Sequence, residues 1–468
     1  MLDKKIHILF FIVISNLFFS QKYLDIDFFM DRIYTSNSST IIENEYTQKK
    51  LQNKLFYKEL LPKVSMNISI PYQRSISDVL QPDGTTRYFE RNFINATQNL
   101  SISQIIPFTG GTVSLSNSLN YSRDFSNNIN NFSSNWVSIS YQQSINGFNN
   151  YKWNKKIKKI EFQKDSLDYL KEKSKLKTEI AKIFTEATLA QIKIDITTKN
   201  IEKTNNILKE YEEKHRFGRV ISSEVEQIKI TLEQLNGLKT TNKLELESLL
   251  EHLLDETNTK IEDSIILKPV EEEIFNINKS DLQMAMEKNG DLLDETLSLL
   301  KIDASIEQIK KEGGIKINLN MGMGANSSSQ EFNQLYQNPS QSQFATIGAS
   351  IPILDWNANK DKIKIAELEK ENIKLKIQED KHHKEQKIDE IIKYYWAQVY
   401  QLSSLKKQII LSDKILNDTK QLLTLGRKTI TDYKVQLYEN FSLSVELQKI
   451  INNLFLIKLQ VEEIKLNT

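Results

Sequence analysis

The chain has no cysteine, and only seven prolines and thirteen glycines are spread over its 468 residues. Without cysteine, thiol catalysis, disulfides, cysteine-ligated metals and a lipid-modified N-terminal cysteine are all excluded. Neither sign of charge dominates: 62 Lys and Arg face 61 Asp and Glu, a net charge of +1. That balance argues against a general nucleic-acid binder, which needs a positive field. Long hydrophobic runs are scarce too. Beyond the N-terminus none is long and apolar enough to span a bilayer as a helix. A mature chain that enters a membrane must then do so as a closed barrel, because an open sheet leaves backbone groups unpaired in lipid.

Catalytic chemistry is also missing. His382 and His383 are adjacent, so a helix points them in different directions, and His215 and His252 have no partners at metal spacing. The glycines of "MGMG" fall within a strand pattern and do not precede a helix, so they form no phosphate loop. No catalytic residue, cofactor or metal is expected. The apolar N-terminus is explained by export: Lys4 and Lys5 precede "IHILFFIVISNLFF", and Ser20 is a small residue at which cleavage could occur. Residues 1–20 therefore read as a signal peptide.

What is present is two very long helical patterns. No proline lies between Pro107 and Pro269, and none follows Pro352. In the first interval, Leu176, Ile180, Ile183, Ala187, Ala190, Ile194, Thr197, Ile201, Thr204, Leu208 and Tyr211 are spaced alternately four and three apart. This heptad-like seam buries a narrow stripe against neighbouring helices. It resumes with Val225, Ile228, Leu232 and Leu235. A second seam runs through Leu447, Ile450, Leu454, Ile457, Val461 and Ile464. At 1.5 Å per residue, a helix from Trp153 to Arg216 is roughly 95 Å long.

Two blocks, 62–147 and 313–354, alternate with period two. "KVSMNISI" puts Val64, Met66, Ile68 and Ile70 opposite Ser65, Asn67 and Ser69, and "GIKINLNMGMG" repeats the pattern. An apolar face backed by a small polar one suits a barrel strand between lipid and water. It also suits a soluble sheet with one wet face; the signal peptide favours the barrel. Residues 99–121 read as an additional hairpin around Pro107–Gly111, which either joins the barrel or folds beside it.

The chain is internally repeated. Ser144 matches Ser350 at an offset of 206, and Gly218 matches Gly426 at 208. Each glycine follows a long helical run and precedes hydroxyl and acidic residues: Ser222, Ser223 and Glu224 in one copy, Thr429, Thr431 and Asp432 in the other. A left-handed glycine ends one helix and Ser222 or Ser223, or Thr429 or Thr431, caps the next. The resulting order is a signal at 1–20, a helix at 21–61, strands at 62–147, a helical hairpin at 148–268, a connecting segment and helix at 269–312, strands at 313–354 and a second hairpin at 355–468.

On "ELLPKVSMNISI", "QSINGF", "SIPILDW" and the two glycine turns, the sequence resembles the TolC-like outer-membrane efflux protein family over nearly its whole length. The family's usual turn carries a hydroxyl residue where this chain has Ile221, whereas Gly426, Thr429, Asp432 and Tyr433 follow the pattern. The resemblance implies an α+β membrane protein: a homotrimer in which each copy gives four strands to one twelve-stranded outer-membrane barrel, above a tunnel of periplasmic helices. It implies passive conduction of substrates from an inner-membrane pump and a periplasmic adaptor, in efflux or type I secretion. The adaptor contacts would be Gly218, Arg219, Val220, Ile221, Ser222, Gly426, Arg427, Lys428 and Thr429. Glu210, Glu213, Asp413 and Asp418 are candidates for a pore constriction, as acidic rings narrow channels and attract cations. The alternative is a coiled-coil envelope scaffold or adhesion protein without a pore. It accounts for the helices but not for the strand blocks.

Overall fold

The structure is a computed structural model that describes residues 22–260, 265–288 and 290–466. The expected signal peptide lies outside the described residues. In chain order the elements are β1 (Lys22–Leu24), α1 (Ile26–Arg32), α2 (Asn37–Glu59), β2 (Lys63–Ser69), β3 (Tyr72–Leu80), β4 (Thr86–Ile106), β5 (Gly111–Asp124) and β6 (Ile129–Ser144). The helices α3 (Asn150–Arg216) and α4 (Ser222–Glu256), the strand β7 (Ile265–Leu267), and α5 (Lys279–Lys288) and α6 (Gly290–Glu312) follow. The chain ends with β8 (Lys316–Ser329), β9 (Ser340–Ser350), α7 (Ala358–Thr424) and α8 (Ile430–Leu466). The helices α3 and α7 each have 67 residues, α4 has 35 and α8 has 37. No described helix is long and apolar enough to cross a membrane.

The chain divides into two compact units. One comprises the residues up to Tyr46, Ser166–Leu292 and Asp380–Thr468. It is built on the helical seams. Leu176, Ile180, Ala187, Ala190, Thr197, Thr204 and Tyr211 are all buried, as are Val225, Ile228, Leu232 and Leu235. Ala181, Phe184, Thr188 and Ile207 are buried beside the seam, so α3 packs on more than one neighbour. A buried bond crosses helices here: Asn452 Nδ2 on α8 donates to the carbonyl of Thr185 on α3 at 2.9 Å. A parallel pairing of β1 with β7 and the aromatic rings of Phe29 and Phe184 close the core around Leu24, Leu253 and Leu267.

The other unit, Thr47–Asp165 and Leu293–Glu379, holds the antiparallel sheet in the order β2-β4-β5-β6-β8-β9, with β3 also on β4. β2 and β3 are one strand in two pieces. Ser69 pairs with Thr97 and Tyr72 with Ile94, so the register does not slip between them. Only Pro71, which has no N–H, interrupts the ladder, and Asn95 N still donates to its carbonyl at 3.0 Å. The sheet thus has six long strands. The resemblance implied four per copy; the inserted hairpin is the difference. β4 and β5 pair continuously from Phe93↔Asp124 to Ile106↔Gly111, so this hairpin lies within the sheet and not beside it.

Residues directly opposite in paired strands share a face. One row across the sheet is Val64, Ile102, Leu115, Ile139 and Met323, ending at Gln343 on β9, where Ala345 and Ile347 follow on the same face. The neighbouring row on the other face is Ser65, Ser101, Ser116, Ser138, Gly324 and Ser342. One face is therefore mainly apolar and the other mainly small and polar.

Candidate functional site

The two glycine turns form from the same local chemistry. Gly218 has φ +68° and Gly426 φ +71°, the left-handed region that a residue without Cβ adopts most easily. At the first turn Gly218 N donates to His215 O at 2.9 Å and Arg219 N to Lys214 O at 2.9 Å. At the second, Gly426 N donates to Leu423 O at 3.0 Å and Arg427 N to Leu422 O at 2.8 Å. Both are Schellman closures, which satisfy carbonyls left over at a helix end.

The turns differ in how the next helix begins. Thr429 caps α8: its Oγ1 accepts from Asp432 N at 3.1 Å, and Asp432 Oδ2 accepts from Thr429 N at 2.9 Å. This reciprocal pair is a capping box. It holds the Asp432 carboxyl below the usual carboxylate range, first through the Thr429 backbone and then through its hydroxyl. At α4 neither Ser222 nor Ser223 is the cap. The cap position is Ile221, in extended conformation and with no side-chain bond, so the first turn relies on the Schellman closure and on packing.

The structure brings the two turns together. Ile207, Tyr211, Val225, Ile228, Leu232 and Leu235 from the first hairpin form one buried cluster with Leu416, Leu423, Ile430, Tyr433 and Leu437 from the second. Tyr211 Oη donates to Leu423 O at 3.1 Å, and Lys214 Nζ to Thr424 O at 2.7 Å. Burial pushes the Tyr211 phenol up to about 12, with Glu224 and Glu210 adding to the shift. Within the first turn a His215 ring nitrogen lies 2.8 Å from Val220 O.

Among the candidate contact residues, Gly218, Arg219, Ile221, Ser222, Gly426, Arg427, Lys428 and Thr429 are exposed, while Val220 is half-buried against the cluster. Sequence reasoning passed over Phe217 and Leu425, the residues directly before each glycine. They are 78% and 67% exposed, and Ile221 is 66% exposed, so the turns present apolar side chains to solvent. Their matching place in "FG" and "LG" is a signal the sequence does carry. It also passed over Tyr211 and Lys214 as bridges, which no local pattern announces.

The acidic candidates do not form one cluster. Glu210 is paired with Lys214 at 2.6 Å. Asp413 accepts from Asn440 Nδ2 at 2.7 Å. Glu213 and Asp418 are exposed. Among the described residues no group of three or more His, Asp or Glu is placed to hold a metal ion.

No protein-family model and no curated protein matches this sequence. Solved structures do. The outer-membrane channel OprN is similar with a TM-score of 0.69 at 10% identity, over 95% of this chain and 90% of that one. The Campylobacter jejuni CmeC outer membrane channel has a TM-score of 0.67 at 15% identity, over 94% of this chain and 85% of that one. The Vibrio cholerae outer membrane protein VceC has a TM-score of 0.67 at 8% identity, over 94% and 96%. The chain shares the fold of these TolC-like outer-membrane proteins over 94–95% of its length.

Proposed function

We propose that the chain is the exit duct of an export system: an outer-membrane channel that conducts substrates passively from a periplasmic adaptor and an inner-membrane pump to the exterior. The observation that carries this reading is the division of the six-stranded sheet into a mainly apolar face and a mainly small, polar face. Such a sheet separates lipid from water when it closes. Six strands are too few to close alone, since known barrels start at about eight. Copies therefore pool their strands, in this reading as a homotrimer. The internally duplicated long helical hairpins form a periplasmic tunnel, and tripartite efflux and type I secretion are the two settings such a duct serves.

In this reading the glycine turns are the adaptor contacts. Their supporting features are the exposed Phe217, Ile221 and Leu425 beside Arg219, Arg427 and Lys428. Glu213, Asp413 and Asp418 are the exposed acidic candidates for lining a constriction, and Asp413 is bonded to Asn440. Opening is an iris-like shift of the hairpins near the turns, and the Tyr211 and Lys214 bonds couple those hairpins within each copy. The reaction is transport alone; no residue in this reading does chemistry. The membrane-extracted oligomer, placed in a planar bilayer, is expected to give discrete conductance steps. An oligomer that never conducts would favour the pore-free scaffold.

A further inference from the structure

The sheet ends in two open edges. Among the described residues nothing pairs with the outer side of β9 or of the β2–β3 strand. We infer that these edges pair with each other between copies of this chain, and that each copy, with its inserted hairpin, adds six strands to the barrel wall. This rests on the duct reading above and deepens it: three copies then close about eighteen strands, the range in which barrels leave a wide aqueous channel.

Three features of the edges agree, and all follow from the even number of strands in the sheet. The first is direction. The strands alternate, so an even number leaves β2–β3 and β9 antiparallel. A head-to-tail ring of copies keeps every junction antiparallel.

The second is the hydrogen-bond phase. In antiparallel ladders, residues whose backbone groups face one neighbour alternate with residues facing the other. Asn95 N donates to Pro71 O, so the odd-numbered residues of β2–β3 face β4. Their even-numbered neighbours, Val64, Met66, Ile68, Ile70 and Tyr72, aim their N–H and C=O groups at the open edge. Pro71 thus lacks its N–H on the inner side, and the open edge keeps its donors. On the other border Ile145 N donates to Ile317 O at 2.9 Å. The odd-numbered residues of β8 therefore face β6, and the even-numbered ones face β9. With Lys316 opposite Ser350, the even-numbered residues of β9 face β8. Gln341, Gln343, Ala345, Ile347 and Ala349 face the open edge.

The third is the side-chain face. The outward-bonding residues on both edges carry their side chains on the apolar face: Val64 lies in the row of Ile102, and Ile347 pairs with Leu319. Joining the edges therefore keeps apolar with apolar and polar with polar. An odd number of strands would have brought the apolar face against the polar one. Neither edge is blunted. β9 holds no charge and no proline; along β2–β3 the charges are Lys63 at the start and Arg74 and Asp78 in the β3 half, and Pro71 lacks its N–H only on the inner side. Edges that must stay solitary are usually protected by such residues.

The inserted hairpin is anchored where the wall meets the helices. Asn149 Nδ2 donates to the carbonyls of Pro107 and Phe108 at 3.1 and 3.0 Å, while Asn149 Oδ1 accepts from Lys152 N at 3.0 Å in the first turn of α3. With strands about 4.8 Å apart and tilted by about 40°, eighteen strands give a backbone diameter of about 36 Å, against about 24 Å for twelve.

The test uses the full chain, whose lack of cysteine makes introduced thiols unambiguous. Ala345→Cys is combined in one chain with Met66→Cys, Ile68→Cys, Ile70→Cys or Tyr72→Cys and oxidised in the outer membrane. At least one pair is expected to give a covalent ladder that ends at the closed oligomer. Ala345→Cys with Leu115→Cys, on an interior strand, is expected to give none. Cross-links confined to single chains, or no cross-link for any edge pair, would overturn the inference. Electron microscopy of the unmodified oligomer is expected to count six strands per copy. A conducting oligomer with four wall strands per copy and β4–β5 outside the wall would overturn the inference and leave the duct standing. A barrel with six strands per copy that never conducts would support the inference and remove the duct.

Discussion

The phenol of Tyr211 on α3 donates to the carbonyl of Leu423 on α7 at 3.1 Å, so the two long helices are bonded to each other near their C-terminal ends. Leu423 is fully buried, and its carbonyl also accepts the Gly426 N–H that closes the second turn. Tyr211→Phe removes a bond from a buried site and should cost about 1 kcal/mol. Hydrogen exchange of the amides from Leu422 to Arg427 should speed up by roughly fivefold, which is the rate equivalent of that energy. Exchange unchanged from the parent would show the bond to be without weight.

The same phenol gives the site an alkaline limit. Its pKa is raised to about 12 in the folded chain, above the ordinary value of about 10. A raised value means the folded state holds the proton more tightly. The contribution is whole below about pH 10 and is lost as pH rises through about 12. A phenolate absorbance titration of Tyr211→Phe should therefore lose one late-titrating tyrosine relative to the parent, while Tyr433 and Tyr438, also pushed up by burial, remain.

The capping box gives the opposite sign at the acid end. The Asp432 value is depressed by the Thr429 backbone and hydroxyl, so its contribution is present above the ordinary carboxylate value and lost as pH falls through the lower, folded one. Amides at the start of α8 should lose protection in acid before those at the start of α4, whose cap has no titratable partner. Asp432→Asn should abolish that difference.

The two turns should also respond unequally to capping substitutions. Thr429→Ala removes a working cap and should cost about 1 kcal/mol. Ile221→Asp supplies a cap where none exists and should stabilise α4 by up to about 1 kcal/mol. Thermal unfolding of the solubilised protein measures both. A loss with Ile221→Asp would mean that the exposed Ile221 side chain packs on something in the assembled protein.

At Gly218 and Gly426 a Cβ would meet nothing within 4 Å, so the cost of a side chain there lies in the backbone. Exchange for Val should cost about 1–2 kcal/mol, whereas Asn, which tolerates the left-handed region, should cost less. In the proposed duct, bulky replacements impair export while the oligomer survives. Export unaltered in both Val variants would count against a role for these turns.

Much of this was legible in the sequence. Helical and strand periods are local, so burial of the stripe from Leu176 to Tyr211 and the alternation through Val64, Ser65 and Met66 could be read directly. The left-handed glycines could be read as well, because only a few residues accept that conformation cheaply. The cap at the first turn was misread, because hydroxyls at Ser222 and Ser223 compete with a chain path that makes Ile221 the boundary.

The type and two-sidedness of the long helices and strands follow from spacing along a single chain, whereas the short elements within 21–61 (β1, α1) and the split of 269–312 into α5 and α6 carry no such period. Which elements become neighbours is settled in three dimensions. Backbone N–H and C=O groups are alike in every strand, so nothing within residues 99–121 specifies that they pair with β2 and β6 and not with each other alone. The meeting of Tyr211 with Leu423 depends on the rotational phase of two helices more than 200 residues apart, and that phase is set by the packing of the whole buried cluster around them.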